Sequence, residues 1–377
     1  MAFAEGRTAV VAGAGLAGLA SAIALRQAGW DVHALERRAS PDAGGAGIVL
    51  HPNALQALAR LGVLDAVLAG ASELETLRAV TASGTGVDVD LRDVWAGSPY
   101  RTVATARPAL GAALRRRAED LGVSLRAGAT VTSVVARDGH TEVGVEGEAA
   151  LRCDLVVACD GVRSGLRGLL APTIAAAPLD MWWARWVTPC ALLPPGAWRT
   201  WTRGHATCGA YAIGPAGTHV FLQLPAELAE PGVAAVAREM AERFALLREA
   251  LDTGAQLIHA GRAHVVRKHC WTADAAAVAF AGDAAHALSP TMSEGGGLAL
   301  EDGVALGEEA RVATGTPELL ARYRERRRRR VAWAARMGEL QLRRLARATP
   351  RPPAAALSPS SAAAYLRAVY RPLMEAA

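Results

Sequence analysis

The sequence predicts an α/β fold: a discontinuous Rossmann-like nucleotide-binding domain, an inserted β-rich domain and a C-terminal helical region. Three observations predict it. Near the start, the apolar run Val10-Val11-Ala12 turns into Gly13-Ala14-Gly15-Leu16-Ala17-Gly18, a strand entering a helix through G-x-G-x-x-G. Far along the chain, a second buried-type strand over 277–281 ends at Gly282-Asp283, and Gly295-Gly296-Gly297 opens another helix. Between them lies a β-rich stretch over 182–224, dense in tryptophan.

Residues 7–47 read as strand, helix, strand and loop. Gly13 permits the tight turn, Gly15 lets a pyrophosphate approach the backbone, and Gly18 lets the helix pack closely on the strand. Leu16 and Ala17 complete that cofactor-binding turn, whose free N–H groups and positive dipole end face phosphates. Glu36 follows the apolar residues Val32, Ala34 and Leu35, where a second strand would end with a carboxylate placed for a ribose diol. A nucleotide cofactor long enough to need both distant segments is implied, and FAD fits.

Short helices are expected over 52–61 and 64–68, and two strands over 76–91 around the turn Ser83-Gly84-Thr85-Gly86. Leu110, Leu114, Ala118 and Leu121 recur at helical spacing over 107–121. Strands are expected over 123–125, 130–136 and 141–145, then a buried parallel strand over 155–158 ending at Asp160-Gly161. A helix over 233–251 and a strand over 264–269 follow. The remainder reads as helix, broken at 349–353. Nucleotide-binding pieces therefore fall in 1–75, 99–177 and 270–345. Substrate-binding β-sheet pieces fall in 76–98 and 178–269, with a helical tail over 346–377.

The 377 residues are 51% hydrophobic and 20% charged, enough for a large core. The run 8–25 is uncharged and of membrane-spanning length, but Glu5 and Arg7 make no basic leader and three glycines break it, so no membrane span or signal peptide is expected. Five cysteines show no C-x-x-C pair, which reads as reduced, cytoplasmic thiols. The net charge of +5 is almost all arginine, and Lys268 is the only lysine. The densest run, 324–330, carries no interleaved aromatics. It reads as a solvated helix face or as contacts to carboxylates, not as a nucleic-acid site. His264 and His269, on one expected strand, point to opposite faces, so no metal site is expected.

Four motifs, in order, resemble the single-component FAD-dependent aromatic hydroxylases of the para-hydroxybenzoate hydroxylase fold, the group A flavoprotein monooxygenases. They are the fingerprint with Glu36-Arg37; Gly45-Ala46-Gly47-Ile48-Val49-Leu50-His51-Pro52-Asn53-Ala54-Leu55; Cys159-Asp160-Gly161-Val162-Arg163-Ser164-Gly165-Leu166-Arg167; and Gly282-Asp283-Ala284-Ala285-His286 through Pro290 to Gly297. The resemblance implies that Arg37 flanks the adenine, Arg107 contacts the flavin cofactor, and Asp283 accepts a ribityl hydroxyl. It places the amides of Gly295, Gly296 and Gly297 against the pyrimidine ring, and ties Asp160 and Arg167 to FAD and NAD(P)H. It implies non-covalent FAD, NADPH or NADH as co-substrate, and hydroxylation of an electron-rich small aromatic molecule by O₂ through a flavin C4a-hydroperoxide. A monomer or homodimer is expected.

Two departures stand out. The family's last loop usually reads Gly-Gln-Gly-x-Asn, whereas here it is Ser293-Glu294-Gly295-Gly296-Gly297, which bears on the flavin potential. The second motif lacks the arginine that some members carry at Gly45. Trp182, Trp183, Trp186, Trp198, Trp201 and Tyr211 offer flat walls for an aromatic guest, or core. Arg185, on a strand face with Trp183, and Tyr211 are the catalytic candidates, a surface arginine being the alternative for Arg185; His205 is a weaker one. Epoxidation or dearomatising oxygenation, and a flavin-binding protein without turnover, remain as alternatives. Flavin-dependent halogenation lacks its Trp-x-Trp-x-Ile-Pro motif and a lysine in the expected region.

Overall fold

The computed structural model describes residues 6–40, 45–80, 86–346 and 358–374. The first of its two large sheets has six strands in the order Thr272–Ala273, Val278–Phe280, Leu155–Ala158, Thr8–Ala12, Asp31–Glu36, Ser124–Ala127. All neighbours are parallel except the first pair. Parallel strands are covered on both faces, which is why Leu155–Ala158 and Val278–Phe280 are apolar throughout instead of alternating. Ala12 registers against Ala158, and Ala158 against Phe280. The turns that follow these three strands, at Gly13, Asp160 and Gly282, therefore open along one edge, where open parallel sheets bind ligands.

Helix Leu16–Gln27 lies against helix Gly295–Val312 with almost no side chain between them. A Cβ at Gly303 would stand 2.5 Å from the Ala20 carbonyl carbon, and one at Gly307 2.6 Å from the Ala24 oxygen. The fingerprint helix and the helix after the glycine loop thus share one rigid wall.

The second sheet has seven strands in the order Gln256–Val265, Ala177–Thr188, Thr218–Pro225, Ala206–Ala212, Ala197–Arg203, Thr76–Val80, Gly86–Asp90. Strand alternation sorts its side chains. Trp182, Ala184 and Trp186 pack with Val236, Met240 and Leu247 of two outer helices, with Trp201 beside them. Trp183 joins Leu179 and Met181 on the opposite face. Of the six aromatic residues offered as pocket walls, only Trp198 and Tyr211 enter the cluster formed with Val49, Trp95 and the C-terminal helix Pro359–Met374. Trp182, Trp186 and Trp201 are core beneath helices.

Other expectations change. The helix expected over 233–251 is two, Val233–Arg243 and Ala245–Asp252, because buried Phe244 takes extended backbone (φ −122°, ψ 101°). The strand expected over 264–269 runs instead over Gln256–Val265, so His269 lies beyond its end. A short strand, Val103–Ala106, precedes the helix Arg107–Asp120 and pairs with Gly47–Leu50. Strands Thr76–Val80 and Gly86–Asp90 pair as expected, while turn residues 83–85, and the break expected at 349–353, lie outside the described residues.

The arginine run lies on helix Thr316–Ala346 and faces carboxylates. Arg324 pairs with Asp274 at 3.3 Å, Arg326 with Glu309 at 3.0 Å, and Arg330 with Glu301 at 2.7 Å. Both readings hold for parts of the run: Arg326, Arg327 and Arg330 turn to carboxylates of the neighbouring helix, whereas Arg328 and Arg329 stand on the solvated face beside Glu325. Among the described residues, no helix is long and apolar enough to cross a membrane.

Candidate active site

The fingerprint turn is shaped by its glycines. Gly13 has φ +104°, and a Cβ there would stand 2.5 Å from the Cys159 carbonyl oxygen. A Cβ at Gly18 would stand 1.8 Å from the Gly13 oxygen. At Gly15 nothing in the protein lies within 4 Å of that position. Two of the glycines are thus required by the protein's own packing, while the third leaves open space in front of the helix start. Glu36 accepts the Ala14 amide on one carboxylate oxygen at 2.9 Å and the Arg38 amide on the other at 2.9 Å. Each oxygen keeps a lone pair for a diol.

A cleft of about 390 Å³ opens at this edge. Gly15, Leu16, Arg38, Gly45, Arg107 and Arg185 are among the residues that line it, and among the described residues no carboxylate does. Arg38 and Arg107 in its wall suit a pyrophosphate. Arg38 lines the cleft; Arg37, the residue singled out from the motif, is exposed. Ala17 is buried and packs under Gly282.

The third motif is tied to the fourth. Arg167, buried in the helix Gly165–Leu170, donates to the carbonyls of Val162 (2.6 Å), Ile174 (3.2 Å) and Ala284 (2.7 Å). It acts as a strut that fixes the Asp160 turn to the Asp283 turn. Asp160 accepts the Leu166 amide on Oδ2 at 3.0 Å, and its Oδ1 is buried with no partner. The Asp283 side chain is exposed at the sheet edge. Helix Gly295–Val312 begins at the first glycine of the loop, so the amides of Gly295, Gly296 and Gly297 have no partner within the helix. Nothing lies within 4 Å of a Cβ position at Gly295, whereas one at Gly296 would stand 2.6 Å from Ile48 Cδ1.

Behind this loop lies a buried polar network that sequence reasoning missed. Asp302 accepts from the Gly282 amide at 2.8 Å, contacts His286 Nε2 at 2.6 Å, and pairs with Arg327 at 2.7 Å. Arg327, 0% exposed, also pairs with Glu301 at 2.8 Å. Burial alone would raise the Asp302 carboxyl, but His286 and Arg327 hold it below its ordinary range. The available signal was Glu301-Asp302 inside the otherwise apolar run 298–306, together with the arginine run that answers it.

On the opposite side, Arg185 projects from strand Ala177–Thr188 into the cleft, registered between Phe221 and His259. Tyr211 and His219 stand near it, and Arg107 faces it. Burial draws its pKa down, and Arg107 adds to this against the contribution of Tyr211. Among the described residues Arg185 has no carboxylate within ion-pair distance and makes no side-chain hydrogen bond; it is a half-buried cation without a counter-anion. Burial, aided by Arg185, also drives His219 down to about 3, so its ring is neutral, and its Nδ1 accepts the Gly47 amide at 3.2 Å. Beyond Tyr211, Trp198, Trp95 and His51 form an aromatic cluster in which Trp95 Nε1, Trp198 Nε1 and His51 Nε2 are buried without partners. His205 lies at the tight Arg203–Ala206 hairpin, exposed. No group of His, Cys, Asp and Glu among the described residues is placed to hold a metal.

The family model for the FAD binding domain matches residues 7–338. The chain is 31% identical over 354 residues to the FAD-dependent monooxygenase OpS4 of Beauveria bassiana, covering 85% of this chain and 81% of that protein. It is 32% identical over 311 residues to the 2-heptyl-3-hydroxy-4(1H)-quinolone synthase of Mycobacteroides abscessus, covering 79% and 80%. Among solved structures, the tetrameric form of 2-methyl-3-hydroxypyridine-5-carboxylic acid oxygenase superposes with a TM-score of 0.76 at 25% identity, covering 96% and 97%.

Proposed function

This chain belongs to the FAD-binding family of flavoprotein monooxygenases, and we propose that it uses NAD(P)H and O₂ to hydroxylate a small aromatic ring bearing an oxygen substituent. In that reaction a hydride and a proton reduce O₂. One oxygen atom enters a C–H bond of the ring, and the other leaves as water. The chemistry supplied by bound FAD is acceptance of the hydride and activation of O₂. The open space before Gly15, with Arg38 and Arg107 in the wall of the cleft, fits its pyrophosphate.

The protein's own residues bind and orient. Gly13, Gly15, Leu16, Ala17 and Gly18 hold the pyrophosphate at the helix start, and Glu36 accepts the adenosine ribose hydroxyls. Arg37 and Arg38 flank the adenine end. Arg107 answers the phosphates, Asp283 a ribityl hydroxyl, and the amides of Gly295, Gly296 and Gly297 the negative charge of the reduced ring. Asp160, with its spare oxygen, belongs to the wall that NAD(P)H approaches. The observation that carries the substrate reading is Arg185, a cation in the cofactor cleft with no counter-anion among the described residues. It orients a phenolate or ring oxygen, with Tyr211 beside it. Relatives whose names specify a hydroxyquinolone and a hydroxypyridine carboxylate make oxygenated N-heteroaromatic rings the first compounds to test. We assign 1–75, 99–177 and 270–345 to the FAD domain, 76–98 and 178–269 to the substrate domain, and 346–377 to a helical tail. We place the enzyme in the cytoplasm as a monomer or homodimer.

A panel of such rings is screened for accelerated NAD(P)H oxidation with a product one oxygen heavier. FAD-loaded protein that consumes no coenzyme with any of them would favour a non-catalytic flavoprotein. Arg185→Ala should keep FAD and its spectrum yet divert coenzyme oxidation to hydrogen peroxide, since a positional error near 1 Å costs roughly 100-fold. Asp283→Ala should instead weaken FAD retention by about 1.5–3 kcal/mol, measured by equilibrium dialysis.

A further inference from the structure

The departures at positions 294 and 297 fit one another. A Cβ at Gly297 would stand 3.2 Å from Glu294 Oε2 and 3.1 Å from Asn53 Nδ2. Glycine there leaves the room into which the Glu294 carboxyl folds. That carboxyl is 2% exposed. Its Oε2 accepts from Asn53 Nδ2 at 3.1 Å, its Oε1 is buried without a partner, and it makes no capping bond to the helix it precedes.

The groups around it come from four helices. Asn53 lies on Pro52–Leu61, Glu301 on Glu294's own helix, Arg327 and Arg330 on Thr316–Ala346, and Tyr370 on Pro359–Met374. The arginines are engaged elsewhere. Arg327 bridges Glu301 and Asp302 at 2.8 and 2.7 Å, while Arg330 holds Glu301 at 2.7 Å and the Pro372 carbonyl at 2.6 Å. Two guanidinium groups answer two carboxylates, and Glu294 is a third with none opposite among the described residues. Its charge is best removed by a proton.

We propose that Glu294 is a positioning residue that carries its proton at neutral pH, and that losing this proton withdraws the support the Gly295–Gly297 amides give to negative charge on the reduced flavin ring. This rests on the FAD reading above. Protonated, the side chain presents one donor and one acceptor, like the glutamine common at this position. Ionised, it places a full negative charge at the start of the same turn, in a medium that screens poorly. Burial, then repulsion from Glu301, pushes its pKa up to about 8, against the Asn53 hydrogen bond and Arg330.

The test compares wild type with E294Q as holoenzymes. Flavin midpoint potentials are measured across about two pH units on either side of that value. Below it the two curves run parallel. Above it the wild type falls away by up to about tenfold in the reduction equilibrium per pH unit, about 30 mV for a two-electron couple, until the carboxyl ionises beside the reduced ring as well. Parallel curves throughout overturn the proposal. Melting of the two apoproteins gives a readout that needs no flavin. A carboxyl whose folded pKa is raised costs stability progressively as pH rises from its ordinary 4.5 to about 8. The advantage of E294Q should therefore open over that window and stay level above it, and a gap independent of pH overturns the proposal. If neither protein takes up FAD, the functional reading falls and the flavin half of this proposal with it, while the melting curves still decide where the proton sits.

Discussion

Arg327→Met should destabilise the protein by about 3–5 kcal/mol, since it leaves Glu301 and Asp302 buried without their shared cation. For a chain of this length that is roughly 4–6 °C of melting temperature. The volume is nearly conserved, so a packing defect contributes little. The loss should depend on pH in a defined sense. Burial would raise both carboxyls, but their cationic neighbours hold them below their ordinary values of 4.5 and 3.8. Stability gained this way is present above those values and lost as pH falls through the depressed ones, so the gap between variant and wild type should narrow in acid. A gap that stays constant into acid would show that the cost comes from packing. Because Asp302 also accepts the Gly282 amide at 2.8 Å, the variant should lose FAD more readily than its melting temperature alone implies.

Gly15→Ala should abolish FAD retention while leaving the apoprotein folded. Gly15 sits in ordinary extended backbone, at φ −77° and ψ −169°, with nothing within 4 Å of the added methyl. Its apoprotein melting temperature should hold, because the only occupant the methyl displaces is the cofactor. Gly18→Ala should lose both. There the methyl would stand 1.8 Å from the Gly13 carbonyl oxygen, which forces the helix off the strand. Titration of each apoprotein with FAD, beside its melting curve, separates the two. If Gly15→Ala binds FAD as the wild type does, the space before the helix is not a phosphate cradle.

The glycine motifs were legible because their spacing encodes backbone geometry directly: turn, approach and helix contact each need the missing Cβ at one place. The alternation along the strand also put Arg185 on the correct face with Trp183. It did not say which face of the sheet two helices would cover, so Trp182 and Trp186 read as wall or as core. Phe244 breaks a helix with neither glycine nor proline, driven by burial of its ring among Val236, Met240 and Leu247, a tertiary effect with no local signal. The Glu301–Asp302–Arg327 network was visible in halves. Two acids in an apolar run and one arginine in a basic run point to each other only once the two helices are known to touch. Glu294 stood out as a departure, but the space left by Gly297, and the lack of an opposing arginine among the described residues, are facts of the fold.

The most direct test of the central claim is the fate of the oxygen atoms. Holoenzyme, NAD(P)H and the best compound from the heteroaromatic panel are incubated under isotopically labelled dioxygen, and the product is analysed by mass spectrometry. One labelled oxygen atom should enter the product for each coenzyme oxidised, with incorporation uncoupled in Arg185→Ala. A product whose added oxygen is unlabelled, and therefore comes from water, would contradict it.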